Sequence, residues 1–69
     1  MLAQKEIVLK HLKENGSITS WEAVMEYGIL RLPARISDLR NDGYNIETHN
    51  EVKKKGESVK HYARYELKK

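Results

Sequence analysis

The stretch TSWEAVMEYGILRLPARISDLRNDG, residues 19–43, decides the fold. It opens with Thr19-Ser20-Trp21-Glu22, the spacing of a capping box, in which the Thr19 hydroxyl accepts from the Glu22 N–H while the Glu22 carboxylate reaches back. A helix is therefore predicted from Ser20, with Ala23, Val24 and Tyr27 on one face and Trp21 at the core or its rim. Gly28 stops it, because glycine supplies the left-handed conformation that follows a helix end. After the turn Gly28-Ile29-Leu30, the residues Leu32, Ile36 and Leu39 fall on one stripe of a further helix, Arg31 to Asn41, closed by Gly43. Pro33 restricts its start to Leu30–Leu32, since only the first turn of a helix tolerates a residue without an N–H.

Upstream, Val8, Leu9 and Leu12 make a stripe at helical spacing, widened by Ile7. They predict a first helix from Leu2 to Glu14 that Asn15-Gly16 ends. Ser17-Ile18 is then too short for more than an extended link. Downstream of Gly43 the period changes to alternation. Tyr44 to Thr48 reads as one strand and Val59 to Leu67 as another, with Ala63, Tyr65 and Leu67 on a common face. Between them Glu51 to Ser58 is polar and contains glycine, which predicts a hairpin with a basic, mobile tip. No linker or repeat interrupts the chain, so residues 1–69 read as one domain. The order is α-α-α-β-β, an α+β chain of three helices followed by a β-hairpin wing, which is the order of a winged helix-turn-helix.

Composition narrows the function. A chain of 69 residues has a small core. With no cysteine, it has neither a disulfide nor a thiolate for zinc or nucleophilic chemistry. No run of about 18 apolar residues occurs and the N-terminus lacks the pattern of a signal peptide, so a soluble, cytoplasmic protein without membrane contact is expected. Up to residue 30, three Lys stand against four Glu, a sum of −1; from residue 31, ten Lys and Arg stand against six Asp and Glu, a sum of +4. This asymmetry suggests a polyanionic partner, although a solvated basic surface has the same composition.

In a helix-turn-helix the second helix of the pair enters the major groove while the first braces it across the backbone. With Leu32, Ile36 and Leu39 inward, the 100° helical step turns Ala34, Ser37, Asp38 and Asn41 outward and puts Arg31, Arg35 and Arg40 on the flanks. Arginines suit bidentate contacts to guanine or phosphate, and the small Ala34 and Ser37 allow close approach. The competing reading pairs these arginines with Asp38, Asp42 or Glu22 on a solvated surface. Asp38 opposes phosphate unless it accepts from cytosine or orients a neighbouring arginine. On the hairpin, Lys53, Lys54, Lys55, Lys60 and Arg64 are candidates for phosphate contact without sequence information. The helix start at Thr19 and Ser20 offers another phosphate site, beside its capping role. His11, His49 and His61 show no metal-ligand spacing, and no nucleophile with a neighbouring base appears, so neither a cofactor nor an enzymatic activity is expected.

The segments Ile18-Thr19-Ser20-Trp21-Glu22-Ala23-Val24, Tyr27-Gly28-Ile29, Arg31-Leu32-Pro33-Ala34-Arg35-Ile36, Asp38-Leu39-Arg40, Gly43-Tyr44-Asn45-Ile46 and Tyr62-Ala63-Arg64-Tyr65-Glu66-Leu67 together resemble a family of very short helix-turn-helix domains encoded mainly by phages and prophages. The resemblance covers nearly the whole chain and implies a small phage-type DNA-binding protein. The chain departs from that family's pattern at Leu30, where a Thr or Ser often precedes the third helix, and at Pro33, where a small polar residue is more usual. Three roles are compatible with these features: a regulator or accessory factor on double-stranded DNA, a protein-binding winged helix that engages a host or phage protein, and an excisionase-like architectural factor that bends DNA. A monomer is the default, since nothing beyond the hairpin offers a dimer seam.

Overall fold

In the computed structural model, which describes residues 3–68, the elements are α1 (Gln4–Asn15), β1 (Ser17–Thr19), α2 (Ser20–Tyr27), α3 (Leu32–Asn41), β2 (Asn45–Lys55) and β3 (Ser58–Lys68). The sequence-predicted start of α1 at Leu2 lies outside the described residues. The order differs from α-α-α-β-β by one element. The link Ser17-Ile18 is a strand, because it lies against the far end of the chain: Ser17 pairs with Glu66, Ile18 with Tyr65 and Thr19 with Arg64. The sheet is three-stranded and antiparallel, in the order β1-β3-β2.

The capping box forms as the sequence predicts. Thr19 Oγ1 accepts from the Glu22 N–H at 3.1 Å and the Thr19 N–H donates to Glu22 Oε1 at 3.0 Å. At the other end of α2, Gly28 has φ +67°, its N–H donates to the Val24 carbonyl, and the Ile29 N–H donates to Ala23. This left-handed closure turns the chain so that Ile29 drops into the core, 1% exposed. Arg31 is the N-cap of α3 and makes no side-chain cap, and Pro33 sits in the first turn, where its missing N–H is not needed.

Val8 and Leu12 of α1, Ile18 of β1, Ala23 of α2, Ile29, Leu32, Ile36 and Leu39 around α3, and Ile46 and Tyr65 of the sheet form the core. Each of the large aliphatic side chains contributes roughly 1.5–3 kcal/mol by leaving water. Ala23 is the only buried residue of α2. Trp21 is not at the core or its rim but 70% exposed, while Val24 and Tyr27 are 36% and 40% exposed. The helical step explains this: Ala23 faces inward, so Trp21, two residues before it, is turned about 200° away.

The hairpin is longer than the alternation suggested. Its strands run unbroken to Lys55 and from Ser58, so residues 51–58 are not a loop but paired strand closed by Gly56-Glu57. Gly56 has φ +62°, as a two-residue hairpin turn with glycine at its first central position requires. The distal half of this arm, beyond Asn50 and Ala63, extends past the buried core.

Candidate functional site

The helices and the hairpin give two surfaces that bear on the sequence-predicted site. On α3, Leu32, Ile36 and Leu39 are each 1% exposed and face the core, leaving Ser37 and Asn41 exposed and Ala34 half-buried on the outward side. Arg31 is exposed at the start of the helix and takes part in no ion pair among the described residues. The other arginines are engaged. Arg35 Nε lies 3.2 Å from Asp38 Oδ2, so Asp38 holds the flanking guanidinium against its own helix. Arg40 donates from Nε and Nη2 to the Ile46 carbonyl at 3.0 and 2.8 Å and from Nη2 to Thr48 Oγ1 at 2.9 Å, tying the end of α3 to β2.

Alternation divides the hairpin residues between two faces. Cross-strand partners share a face, so Val52 and His61, and Lys54 and Val59, continue the side on which Ile46, Tyr65 and Leu67 meet the core. Lys53 with Lys60, and Lys55 with Ser58, lie on the opposite side. The run Lys53-Lys54-Lys55 therefore does not point one way. All four lysines are exposed and, among the described residues, none forms an ion pair.

Arg64 belongs elsewhere. Its guanidinium pairs with Glu51, donates from Nη1 to Ser17 Oγ at 3.0 Å and lies 3.6 Å from Glu22. The hydrogen bond to Glu51 raises its pKa further above its already high value, against the opposing effect of burial. Arg64 thus ties together β1, α2, β2 and β3. Thr19 is likewise withdrawn, 3% exposed with its hydroxyl committed to the cap, and Ser20 beside it is half-buried. The structure thus separates the predicted set. Arg31, Ala34, Ser37 and Asn41 on α3 and Lys53, Lys54, Lys55 and Lys60 on the hairpin remain open, while Thr19, Arg35, Arg40 and Arg64 are held by intramolecular partners.

Two histidines have surroundings that spacing did not disclose. His11 is 5% exposed, with Nδ1 2.8 Å from the Tyr27 hydroxyl and 3.3 Å from Glu26, so it joins α1 to α2. Burial, then the charges of Glu26, Glu14 and Glu22, raises the Tyr27 phenol. His49 meets Glu47 and Glu66 on the outer sheet face, where their ligand atoms lie within 4.8 Å of one another. Lys68 lies 3.1 Å from Glu66 and 3.7 Å from Glu47 and balances both carboxylates. Strand alternation brings Glu47 and His49 to one face, and only the register with β3 adds Glu66.

Among the described residues, no helix is long and apolar enough to cross a membrane. No curated protein and no solved structure matches the chain. The family model described as a winged helix-turn-helix domain matches residues 3–69, and the helix pair α2–α3 followed by the β2–β3 hairpin is the arrangement that description names. The chain belongs to the winged helix-turn-helix domain family.

Proposed function

We propose that this domain binds double-stranded DNA with the outward face of α3 in the major groove and the hairpin wing against phosphates, as a small regulator or accessory factor of a phage or mobile element. The observation that carries the reading is the coexistence of an outward helix face of small side chains, its one carboxylate Asp38 paired with Arg35, with an exposed, lysine-rich wing. Ala34, Ser37 and Asn41 allow close approach, and among the described residues neither Arg31 nor the wing lysines Lys53, Lys54, Lys55 and Lys60 take part in an ion pair. Family membership supports DNA as the ligand, and the resemblance to phage-encoded domains supports the setting.

The division of arginines shifts weight from base reading to phosphate contact. Of Arg31, Arg35 and Arg40, only Arg31, the N-cap of α3, takes part in no ion pair or side-chain hydrogen bond among the described residues, so the wing lysines supply most of the attraction. Such binding falls steeply with salt. A single domain of this size makes few base contacts, so tight specific binding calls for repeated sites. Fluorescence anisotropy on a labelled duplex over a salt series tests the reading: a steep negative dependence of log affinity on log salt is expected, and absence of binding at low salt overturns it. A bending assay on random and selected duplexes distinguishes an architectural factor from a regulator.

A second reading, docking onto a host or phage protein, is favoured by the exposed Trp21 and Met25 of α2, since interface cores are enriched in these residue types. A pull-down that depends on Trp21 and persists at high salt without DNA would support it.

A further inference from the structure

Among the described residues, the outward stripe of α2 is the most apolar exposed surface. Trp21, Val24 and Met25 recur at helical spacing, and Leu30 follows just past the helix end, with exposures of 70%, 36%, 66% and 80%. One flank of this stripe is acidic: α2 carries Glu22 and Glu26 and no Lys or Arg, and while Glu22 lies 3.6 Å from Arg64, Glu26 has no Lys or Arg partner among the described residues. A second exposed apolar pair lies on the wing. Val52 and Val59, 53% and 48% exposed, are diagonal neighbours on one face with Lys54 beside them. Residues 52–60 carry four Lys and one Glu, a net charge of +3.

The two surfaces complement each other and neither complements itself. Joining α2 to α2 opposes Glu26 to Glu26, and joining the Val52–Val59 faces of two wings opposes Lys54 to Lys54, whereas α2 against that wing face matches both apolar area and charge. We propose that a second copy of this chain docks its wing face, Val52, Lys54 and Val59, on the Trp21–Met25–Leu30 surface of α2, so that copies associate head to tail. Lys54 then lies near Glu26, whose side chain is half exposed. Lys53, Lys55 and Lys60, on the opposite wing face, stay free for phosphate.

The area sets the strength. Four side chains of this kind offer roughly 500 Å², short of the about 800 Å² per partner of a stable interface. Free protein is therefore monomeric, and the contact forms when neighbouring sites hold two copies together at a high effective concentration. A head-to-tail contact that does not close on itself propagates, which suits tandem sites. This use of the contact rests on the DNA reading; the contact itself does not.

The absence of cysteine allows a direct test. Met25→Cys and Val59→Cys proteins are mixed without DNA under mild oxidant. A disulfide heterodimer is expected, in several-fold higher yield than from either variant alone or from Lys10→Cys mixed with Val59→Cys. Equal yields from all mixtures, or a dominant Met25→Cys homodimer, overturn the proposal. On DNA, Trp21→Ser is expected to remove the roughly tenfold cooperativity of a two-site duplex while leaving one-site affinity unchanged; unchanged cooperativity overturns the proposal. If neither protein binds a one-site duplex at low salt, the DNA reading fails and the cross-linking result still decides the contact.

Discussion

Arg40 clasps the carbonyl of Ile46 with two donors, Nε at 3.0 Å and Nη2 at 2.8 Å. The strand that holds Ile46 is at the edge of the sheet, so the guanidinium both covers part of that edge and fixes the C-terminal end of α3 against the root of the wing. The two candidate DNA-binding elements are thereby held at one relative orientation.

Arg40→Ala is accordingly expected to lower stability by about 1–2 kcal/mol, the range for partly exposed hydrogen bonds from a charged donor. Urea denaturation measures this. Arg40→Lys is expected to recover less than half, since an ammonium does not reproduce the planar fork. If Arg40 were instead a base-reading residue, Arg40→Ala would weaken duplex binding and leave the urea midpoint unchanged.

Asp38 restrains Arg35 at 3.2 Å and adds a negative charge on the side of α3 that approaches phosphate. Asp38→Asn removes the charge and releases the guanidinium, so low-salt duplex affinity is expected to rise about threefold to tenfold, with a salt slope steeper by about 0.9 for one further phosphate contact. Anisotropy titrations at several salt concentrations measure both. An affinity loss would instead mean that Asp38 accepts from a base or positions Arg35 productively.

On the wing, sidedness makes a sharper prediction than total charge. Neutralising Lys53, Lys55 and Lys60 together is expected to flatten the salt slope by about 2–3, each phosphate contact being worth about 0.9. Lys54→Gln alone is expected to leave it nearly unchanged, because Lys54 lies with Val52 and Val59 on the other face. Equal effects per lysine would show that the hairpin twists freely on DNA.

What the sequence disclosed was local. The capping box spans four residues, the stop at Gly28 depends on one backbone conformation, and the stripe Leu32-Ile36-Leu39 lies within a single helix, so each was legible without knowing what it packs against. β1 was not legible because a three-residue strand exists only through pairing with β3, Ser17 with Glu66, 49 residues away in the sequence. Trp21 was assigned to the core or its rim from its type, whereas Ala23 is the buried residue of α2 and the helical step turns Trp21 away from it. The wing's length was hidden by its lysines, whose charge reads as loop although their alternation continues the strand. The internal partners of Arg64 were not legible because Glu51, Ser17 and Glu22 come from three other elements.

The outer face of the sheet gives a pH dependence with a definite sign. Hydrogen bonds from Lys68 and then His49 hold the Glu66 carboxyl below its ordinary value of 4.5. The same pairing raises the Lys68 ammonium. Because the unfolded chain takes up the Glu66 proton at a higher pH than the folded one, the carboxylate favours the folded state above the ordinary value. That contribution is lost as pH falls through the lowered folded value. Thermal melts between pH 6 and pH 3 are expected to show a decline that Glu66→Gln makes shallower, with the two proteins converging at the acid end. The groups are solvent-exposed, so 1 M salt is expected to shrink the difference by screening. Parallel pH profiles for the two proteins would mean that the Glu66 contacts contribute nothing to stability.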